Sequence, residues 1–186
     1  CSNVEVCTDG ACVIPPRKLV FVSSATYTGN LGGLAGADAK CQALANAASL
    51  GGTFKAWLSD STNNAVNRMN HSTLDYVLPD GTVVAHGWAG LTSGTLLHAI
   101  DMSETKGTPG KNSPAAFCSE PASASMVWTD TNADGTITGT TGHCSNWTST
   151  TGSTFWGRSD RVNQEWTRNC SGGTCSWLSA IYCVEQ

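Results

Sequence analysis

The segment Asp130-Thr-Asn132-Ala-Asp134-Gly135 matches the opening of a calcium-binding loop. Such a loop needs oxygen ligands at positions 1, 3 and 5, a glycine at position 6 and a bidentate carboxylate at position 12. Position 12 is Thr141, which carries no carboxylate, and no helix signal flanks the segment. Asp, Asn and Gly are also typical of tight turns. The sequence favours a turn, with Ca²⁺ bound by Asp130, Asn132 and Asp134 as the alternative.

Catalytic chemistry could come from the serines or from four histidines, which are His71, His86, His98 and His143. The sequence has no G-x-S-x-G motif, and no pair of acids stands out from the turn-forming residues. Histidines that stand alone beside glycine and serine are usually structural or exposed. We therefore predict that the protein is not an enzyme and that it has no cofactor, apart from the alternative of Ca²⁺.

Composition and charge exclude several classes of partner. Only 13% of the 186 residues are charged, and the formal net charge is -4. The chain therefore lacks the positive field that holds phosphate backbones, so nucleic acid is not predicted as a partner. Apolar runs such as "LVFV" are too short to cross a bilayer.

Nine cysteines indicate an oxidising compartment. There is no C-x2-C pair, and the histidines stand apart from the cysteines, so a zinc ribbon is not predicted. Disulfides in a Ser/Thr-rich chain indicate an extracellular or cell-surface location. The odd cysteine has two interpretations: Cys1 in "CSN" is a lipid-modified residue, as in mature bacterial lipoproteins, or residue 1 is a cut within a longer cysteine-rich chain. Membrane contact is predicted only through a lipid on Cys1.

The chain divides into a Cys-rich segment at 1–16 and a main domain at 17–186. In the first, Cys7 and Cys12 flank "TDGA" and could close a small turn, and Pro15-Pro16 predicts a stiff exit. The main domain opens with the predicted strand "KLVFVSS". A helix follows over 33–49, because apolar residues recur there at helical spacing: Leu34, Ala37, Cys41, Leu44 and Ala48.

The rest of the chain predicts short elements between long loops. "TFKAWLSD" indicates a strand, "STNNAVNRMN" a short helix, and "YVLPDGTVVAH" a hairpin. Turn-forming residues dominate 103–175, and "WLSAIYCVEQ" is a last strand. One helix, or two, with short strands predicts an α+β domain held by cross-links.

Two motifs connect these elements to a family. "GLAGADAKCQALANAASLGGTFKAWLSD" and the ending "YCVE", with "LPDGTVVAHGWAGLTSG" and the C-x-x-W at 144–147, resemble endostatin, the C-terminal domain of certain collagens, and a related bacterial secreted domain of unassigned function. The resemblance runs from Lys18 to Glu185. It implies a C-type-lectin-like fold with two helices packed against twisted, mostly antiparallel strands.

The resemblance also implies cross-links and core positions. It pairs Cys41 with Cys183 and Cys144 with Cys175. Cys118 and Cys170 have no counterparts in endostatin, and we predict that they form an extra local disulfide. Together with a Cys7–Cys12 disulfide, these pairs account for eight of the nine cysteines, and Cys1 has no predicted partner. Four tryptophans fall where the family carries core aromatic residues: Trp57, Trp88, Trp128 and Trp147.

The calcium, zinc and heparin sites known from such folds are not predicted for this chain. The calcium-dependent lectin tripeptides are absent, since Glu120-Pro121-Ala122 lacks the amide that would chelate calcium. Asp80 matches the zinc aspartate of endostatin, but residues 1–17 contain no histidine. The ten basic residues are scattered, so heparin affinity is not predicted.

Trp156 and Trp166 match no family position and stand in the loop-rich third, within "WGRSDRVNQEW". They either pack the loops, which the sequence favours slightly, or form a stacking patch with Arg158 and Asp160. We predict a non-catalytic binding or adhesion module that recognises glycan or extracellular protein through its long loops. The alternative is a self-assembling structural subunit anchored through the Cys-rich segment. Sequons at Asn70, Asn146 and Asn169 matter only for a eukaryotic source.

Overall fold

In a computed structural model, which describes residues 5–111, 126–139 and 142–186, the chain forms a mixed α+β fold with a mostly antiparallel sheet. The ten strands are β1 (Val6–Thr8), β2 (Ala11–Val13), β3 (Lys18–Val22), β4 (Phe54–Ala56), β5 (Tyr76–Val77), β6 (Val83–Ala85), β7 (Met126–Trp128), β8 (Ser153–Arg158), β9 (Cys170–Thr174) and β10 (Ala180–Glu185). The helices are α1 (Gly33–Ala47), α2 (Ala65–Arg68), α3 (Gly87–Leu91), α4 (Cys144–Trp147) and a 3₁₀ turn, Gln164–Trp166.

The last strand, β10, organises the sheet. Seven strands follow in the order β6-β5-β3-β10-β7-β8-β9, and β4 pairs with β10 beside this path. β10 runs antiparallel to β3 and β4 and parallel to β7, while β3 and β5 form the other parallel pair. The predicted first strand, last strand and hairpin are confirmed by β3, β10 and the antiparallel pair β5–β6.

Both faces of the central strands are buried, and their side chains alternate between two cores. On β10, Tyr182 and Val184 enter one core with Trp57 and Trp166. Ile181 and Cys183 enter the other core, which α1 covers. The predicted helix is confirmed and spans 15 residues, ending at Ala47. Ala37 and Cys41 of the predicted apolar stripe are buried, together with Ala45, which was not part of it. The other predicted positions, Leu34, Leu44 and Ala48, are half-buried. The other α-helices have four or five residues each, so only one long helix lies in the described part of the chain.

Two predicted disulfides are confirmed. Cys41 on α1 is bonded to Cys183 on β10, and Cys144 is bonded to Cys175. Cys170 is disulfide-bonded, but its predicted partner Cys118 lies outside the described residues, so that pairing stays a prediction.

The Cys7–Cys12 pairing is wrong. The two residues face each other across the β1–β2 hairpin, whose turn is Asp9-Gly10. Cys12 is bonded elsewhere, so Cys7 is a free and exposed thiol. Cys1 lies outside the described residues, and its predicted lipidation is not tested. No helix in the described ranges has the length and hydropathy needed to cross a membrane.

α4 is a turn of left-handed helix. Residues 143–147 all have positive φ between 47° and 63°, a conformation that costs about 1–2 kcal/mol per non-glycine residue. Tertiary contacts hold it: Cys144 is in a disulfide, and the Trp147 indole donates to the Ser59 carbonyl at 2.7 Å. The Trp147 carbonyl accepts from Leu31 and Gly32 at 2.9 and 3.1 Å, so this turn also fixes the start of α1.

Candidate functional site

The predicted calcium loop follows β7 and folds back on itself. Asn132 accepts from the Gly135 amide at 2.9 Å, and its own amide nitrogen donates to the Thr136 carbonyl at 2.7 Å. Gly135 has φ +83°, and a Cβ there would come within 2.9 Å of Val66 on α2. The glycine that suggested a calcium loop is therefore required by a tight turn that packs on α2.

The two carboxylates of this loop already accept hydrogen bonds from within the protein. The Asp130 carboxylate is buried and accepts from the Thr138 hydroxyl and from Nδ1 of the buried His143. The Asp134 carboxylate accepts from the Thr136 amide at 2.9 Å and from its hydroxyl at 2.6 Å. No group of three or more His, Cys, Asp and Glu side chains arranged to hold a metal ion occurs within the described ranges. Calcium binding by Asp130, Asn132 and Asp134 stays a prediction that these contacts do not favour.

Beside this loop lies a polar cleft, which we call the loop cleft. Its smaller lobe, about 250 Å³, is lined by Thr92–Gly94, Asn132–Asp134, Gln164 and Arg168. Its larger lobe, about 530 Å³, is lined by Ser93–Thr95, Asn163–Glu165, Arg168 and Asn169. Three segments that are distant in sequence thus form one concave surface of hydroxyls, amides and charged groups, the kind of lining that orients a ligand by hydrogen bonds.

Gly94 shapes the wall between the two lobes. Its φ of +90° is left-handed, and a Cβ would come within 3.4 Å of the Gln164 side chain. A residue with a side chain would therefore strain the backbone here, although its Cβ would make only an ordinary van der Waals contact with Gln164.

A buried hydroxyl network fastens the cleft segments to the core. It consists of Ser59, Thr129, Thr131 and Thr167, all with no exposed surface. Thr167 accepts from the Trp57 indole at 2.8 Å and donates to the Thr131 carbonyl at 2.9 Å. The Thr131 hydroxyl donates to the Thr129 carbonyl at 2.7 Å, and its oxygen lies 3.0 Å from the Ser59 hydroxyl oxygen. The network thus connects the loop after β7 to the segment that carries Gln164 and Arg168.

The predicted stacking patch is wrong for both tryptophans. Trp156 is fully buried and Trp166 is 1% exposed, so neither ring can stack on a ligand. Trp166 packs against Trp57 and Tyr182, with ring centroids 5.2 and 5.5 Å apart. Loop packing, the other interpretation of the sequence, describes both. Trp166 still matters for the site, because it anchors the 3₁₀ turn that presents Gln164.

Arg158 and Asp160 form an ion pair. Arg158 is 3% exposed, and its guanidinium donates to the two Asp160 oxygens at 2.8 and 2.5 Å. Partial burial raises the pKa of Asp160, but the hydrogen bonds and charge of Arg158 and the charge of Arg161 outweigh it and lower the pKa below its ordinary value. Of the four predicted contact residues, only Asp160 is exposed.

The histidines do not form a catalytic pair with a nucleophile in the described ranges. His71 contacts the Val66 carbonyl at 2.7 Å, His86 the Asp75 carboxylate at 2.9 Å, and His98 the Ala99 carbonyl at 2.8 Å. His143 faces Asp130. Each has a carbonyl or carboxylate oxygen as its partner, and none of them hydrogen-bonds to a serine, threonine or cysteine side chain within the described ranges.

Sequence reasoning missed most of the cleft residues, which are Thr92–Thr95, Ala133, Asn163–Glu165 and Arg168. Their types are ordinary for surface loops, so no motif marked them. The only signal is indirect: the polar residues of "WGRSDRVNQEW" favour a binding surface, and Gln164 within this stretch lines the cleft.

The comparisons assign a family but no activity. Residues 24–165 match the family described as a protein of unknown function, DUF1554. The chain belongs to this family. The matched part of the DUF1554 domain includes α1, the hydroxyl network up to Thr131 and most of the cleft, and it ends before Arg168. No curated protein matches the chain significantly.

Proposed function

We propose that this DUF1554 domain is a non-catalytic extracellular binding or adhesion module that holds its ligand, a glycan or an extracellular protein, in the loop cleft. The observation that carries the proposal is the cleft itself. It joins three sequence-distant segments, and the side chains of Gln164 and Arg168 make no hydrogen bond with any described residue. The disulfides support an oxidising compartment.

We propose further that the fold is C-type-lectin-like and similar to endostatin. Support comes from the two disulfides that the resemblance implies and the structure contains. A second support is the placement of Trp57, Trp128 and Trp147 in the buried cores.

The function is tested by filling the cleft. Gln164 is exposed and lines both lobes, so Gln164→Trp should block the cleft without disturbing the fold. Wild type and variant are applied to arrays of glycans and of extracellular matrix proteins. We expect wild type to bind at least one ligand and the variant to lose that binding. The control is Ser176→Trp, at an exposed residue that does not line the cleft. A folded wild type that binds nothing, or a Gln164→Trp variant that binds normally, would refute the proposal.

A structural subunit is the second candidate, and the N-terminal hairpin favours it. Cys7 is a free, exposed thiol. Three nearby apolar side chains are also exposed: Val6 (48%), Val13 (39%) and Ile14 (55%). If this hairpin anchors an assembly, purified wild type should form disulfide-linked species on a non-reducing gel, and Cys7→Ser should abolish them. Thr8→Ser, on the same hairpin, should leave them unchanged. A wild type that stays monomeric under oxidising conditions would count against assembly through Cys7.

A further inference from the structure

Two exposed aliphatic side chains flank the loop cleft, and we call them the apolar rim. Leu97 is 60% exposed and Val162 is 42% exposed. The Leu96 amide donates to the Val162 carbonyl at 2.7 Å, so the two chain segments lie side by side. The same segments supply Ser93–Thr95 and Asn163–Asn169 to the larger lobe. The two exposed aliphatic side chains therefore stand on the same chain segments that line the larger lobe.

Arg168 is the cation of the cleft and lines both lobes. Its guanidinium carbon lies 5.1 Å from the centre of the Phe155 ring, which holds the side chain in place. It makes no side-chain hydrogen bond or ion pair with any described residue. Arg158 and Arg161, by contrast, lie 2.5 and 3.4 Å from the carboxylates of Asp160 and Glu165. The planar donor fork of Arg168 is thus open to a carboxylate from outside.

The larger lobe offers a further donor. The side-chain amide of Gln164 is exposed and makes no hydrogen bond with any described residue. The one carboxylate of this lobe, Glu165, already pairs with Arg161. Asp134 lines the smaller lobe only. The surplus of donors next to Arg168 fits a ligand that brings an acidic group.

We propose that the ligand of the cleft is a segment of an extracellular protein in which an acidic side chain, bound by Arg168, stands near an apolar side chain that covers Leu97 and Val162. This rests on the binding function proposed above and narrows its ligand to protein. A neutral glycan would leave Arg168 without a counter-charge and would leave the apolar rim exposed to water. Charge complementarity at Arg168 also sets the orientation of the bound segment.

The experiment uses an array of synthetic peptides with a Ser/Gly background. Each carries a Glu and a Leu at varied spacing, and matched peptides replace Glu by Gln, Leu by Ser, or both. Wild type should bind the Glu/Leu peptides best at one spacing. Arg168→Gln should weaken that binding about 10- to 100-fold, as expected for a lost charge-assisted contact. Leu97→Ser and Val162→Ser should each weaken it about tenfold, since less apolar surface is buried.

Two controls match these changes elsewhere on the surface. Arg17→Gln removes one positive charge from a different cleft, beside the N-terminal hairpin, and Leu178→Ser removes another exposed leucine. Both should bind the peptides as wild type does. Equal binding of Glu and Gln peptides, or unchanged binding by Arg168→Gln, would overturn the inference. Glycan binding that Gln164→Trp abolishes, with no peptide binding, would also overturn it but would leave the binding function standing. Failure to bind any probe would refute both.

Discussion

The face of the sheet covered by α1 and the face that carries the loop cleft are stabilised by different kinds of contact. Under α1 the contacts are apolar and periodic: Ala37, Cys41 and Ala45 repeat every fourth residue, and a disulfide joins the helix to β10. Under the cleft, buried hydroxyls and indoles bond to backbone groups far away in sequence, as Trp57 does to Thr167. Both faces bury an apolar core, but the first adds a cross-link to it and the second adds directional hydrogen bonds.

The difference shows how a site can sit on loops and still be ordered. A hydrogen-bond network contributes little net free energy per bond, but an unsatisfied buried group costs about 1–3 kcal/mol. The hydroxyl network therefore specifies one arrangement of the cleft segments, while the two apolar cores supply most of the stability. The two faces should respond differently to mutation.

The largest effect should come from the helix face. The Cys41–Cys183 disulfide spans a sequence separation of 142 residues, so its replacement by Cys41→Ala/Cys183→Ala should lower the free energy of unfolding by roughly 4–5 kcal/mol. Urea unfolding followed by tryptophan fluorescence measures this loss.

Cys144→Ala/Cys175→Ala gives a comparison within the same core, where all four cysteines are buried. This disulfide spans 31 residues, so its removal should cost about 1 kcal/mol less. An equal or larger loss would mean that holding the left-handed turn of α4 matters more than loop length.

A smaller effect is expected in the hydroxyl network. Thr167→Val keeps the shape of the side chain but removes the acceptor of Trp57 and the donor to Thr131. The free energy of unfolding should fall by about 1–3 kcal/mol, measured by the same urea unfolding. Thr53→Val, at an exposed threonine, should change it by less than about 0.5 kcal/mol. If both variants lowered the free energy of unfolding by the same small amount, the hydroxyl network would not be what holds the cleft segments in place.

The smallest effect is a pH dependence at Asp60, next to the network. Burial raises the pKa of Asp60, but hydrogen bonds from Thr62 and Asn63 outweigh it and lower the pKa below its ordinary value. Because the folded pKa is lowered, the stabilisation is complete above the ordinary value and is lost as pH falls through the lowered one. Wild type should therefore be more stable than Asp60→Asn at pH 7, and the difference should shrink toward pH 3. Thermal unfolding across this range checks it, and a constant difference would contradict it.

The elements with a regular pattern could be predicted from the sequence. Apolar spacing located α1, β-branched runs located β3 and β10, and Pro79-Asp80-Gly81 located a hairpin turn. The resemblance to endostatin implied both disulfides that the described residues contain in full. The predicted Cys7–Cys12 disulfide was wrong, because closeness in sequence does not determine which cysteine Cys12 is bonded to.

The site could not be predicted in the same way. Trp156 and Trp166 were candidates for a surface patch because their neighbours are polar, yet both rings are buried. Trp166 sits in a polar stretch and reaches the core only because Trp57 and Tyr182, distant in sequence, provide the packing surface. Whether a lone aromatic residue is buried depends on which elements fold over it. The pattern of neighbouring residues in the sequence does not indicate this.

The sequence by itself determined the class of fold, the long helix, the oxidising compartment and the turn at Asp130–Gly135, because each depends on local conformational preference, hydrophobic periodicity or cysteine count. The tertiary structure alone decided which side chains share a cleft and which are buried. Ser93, Asp134 and Arg168 meet only after the sheet and the hydroxyl network have folded. The side chains that a ligand would contact are set by long-range contacts, which local patterns do not carry.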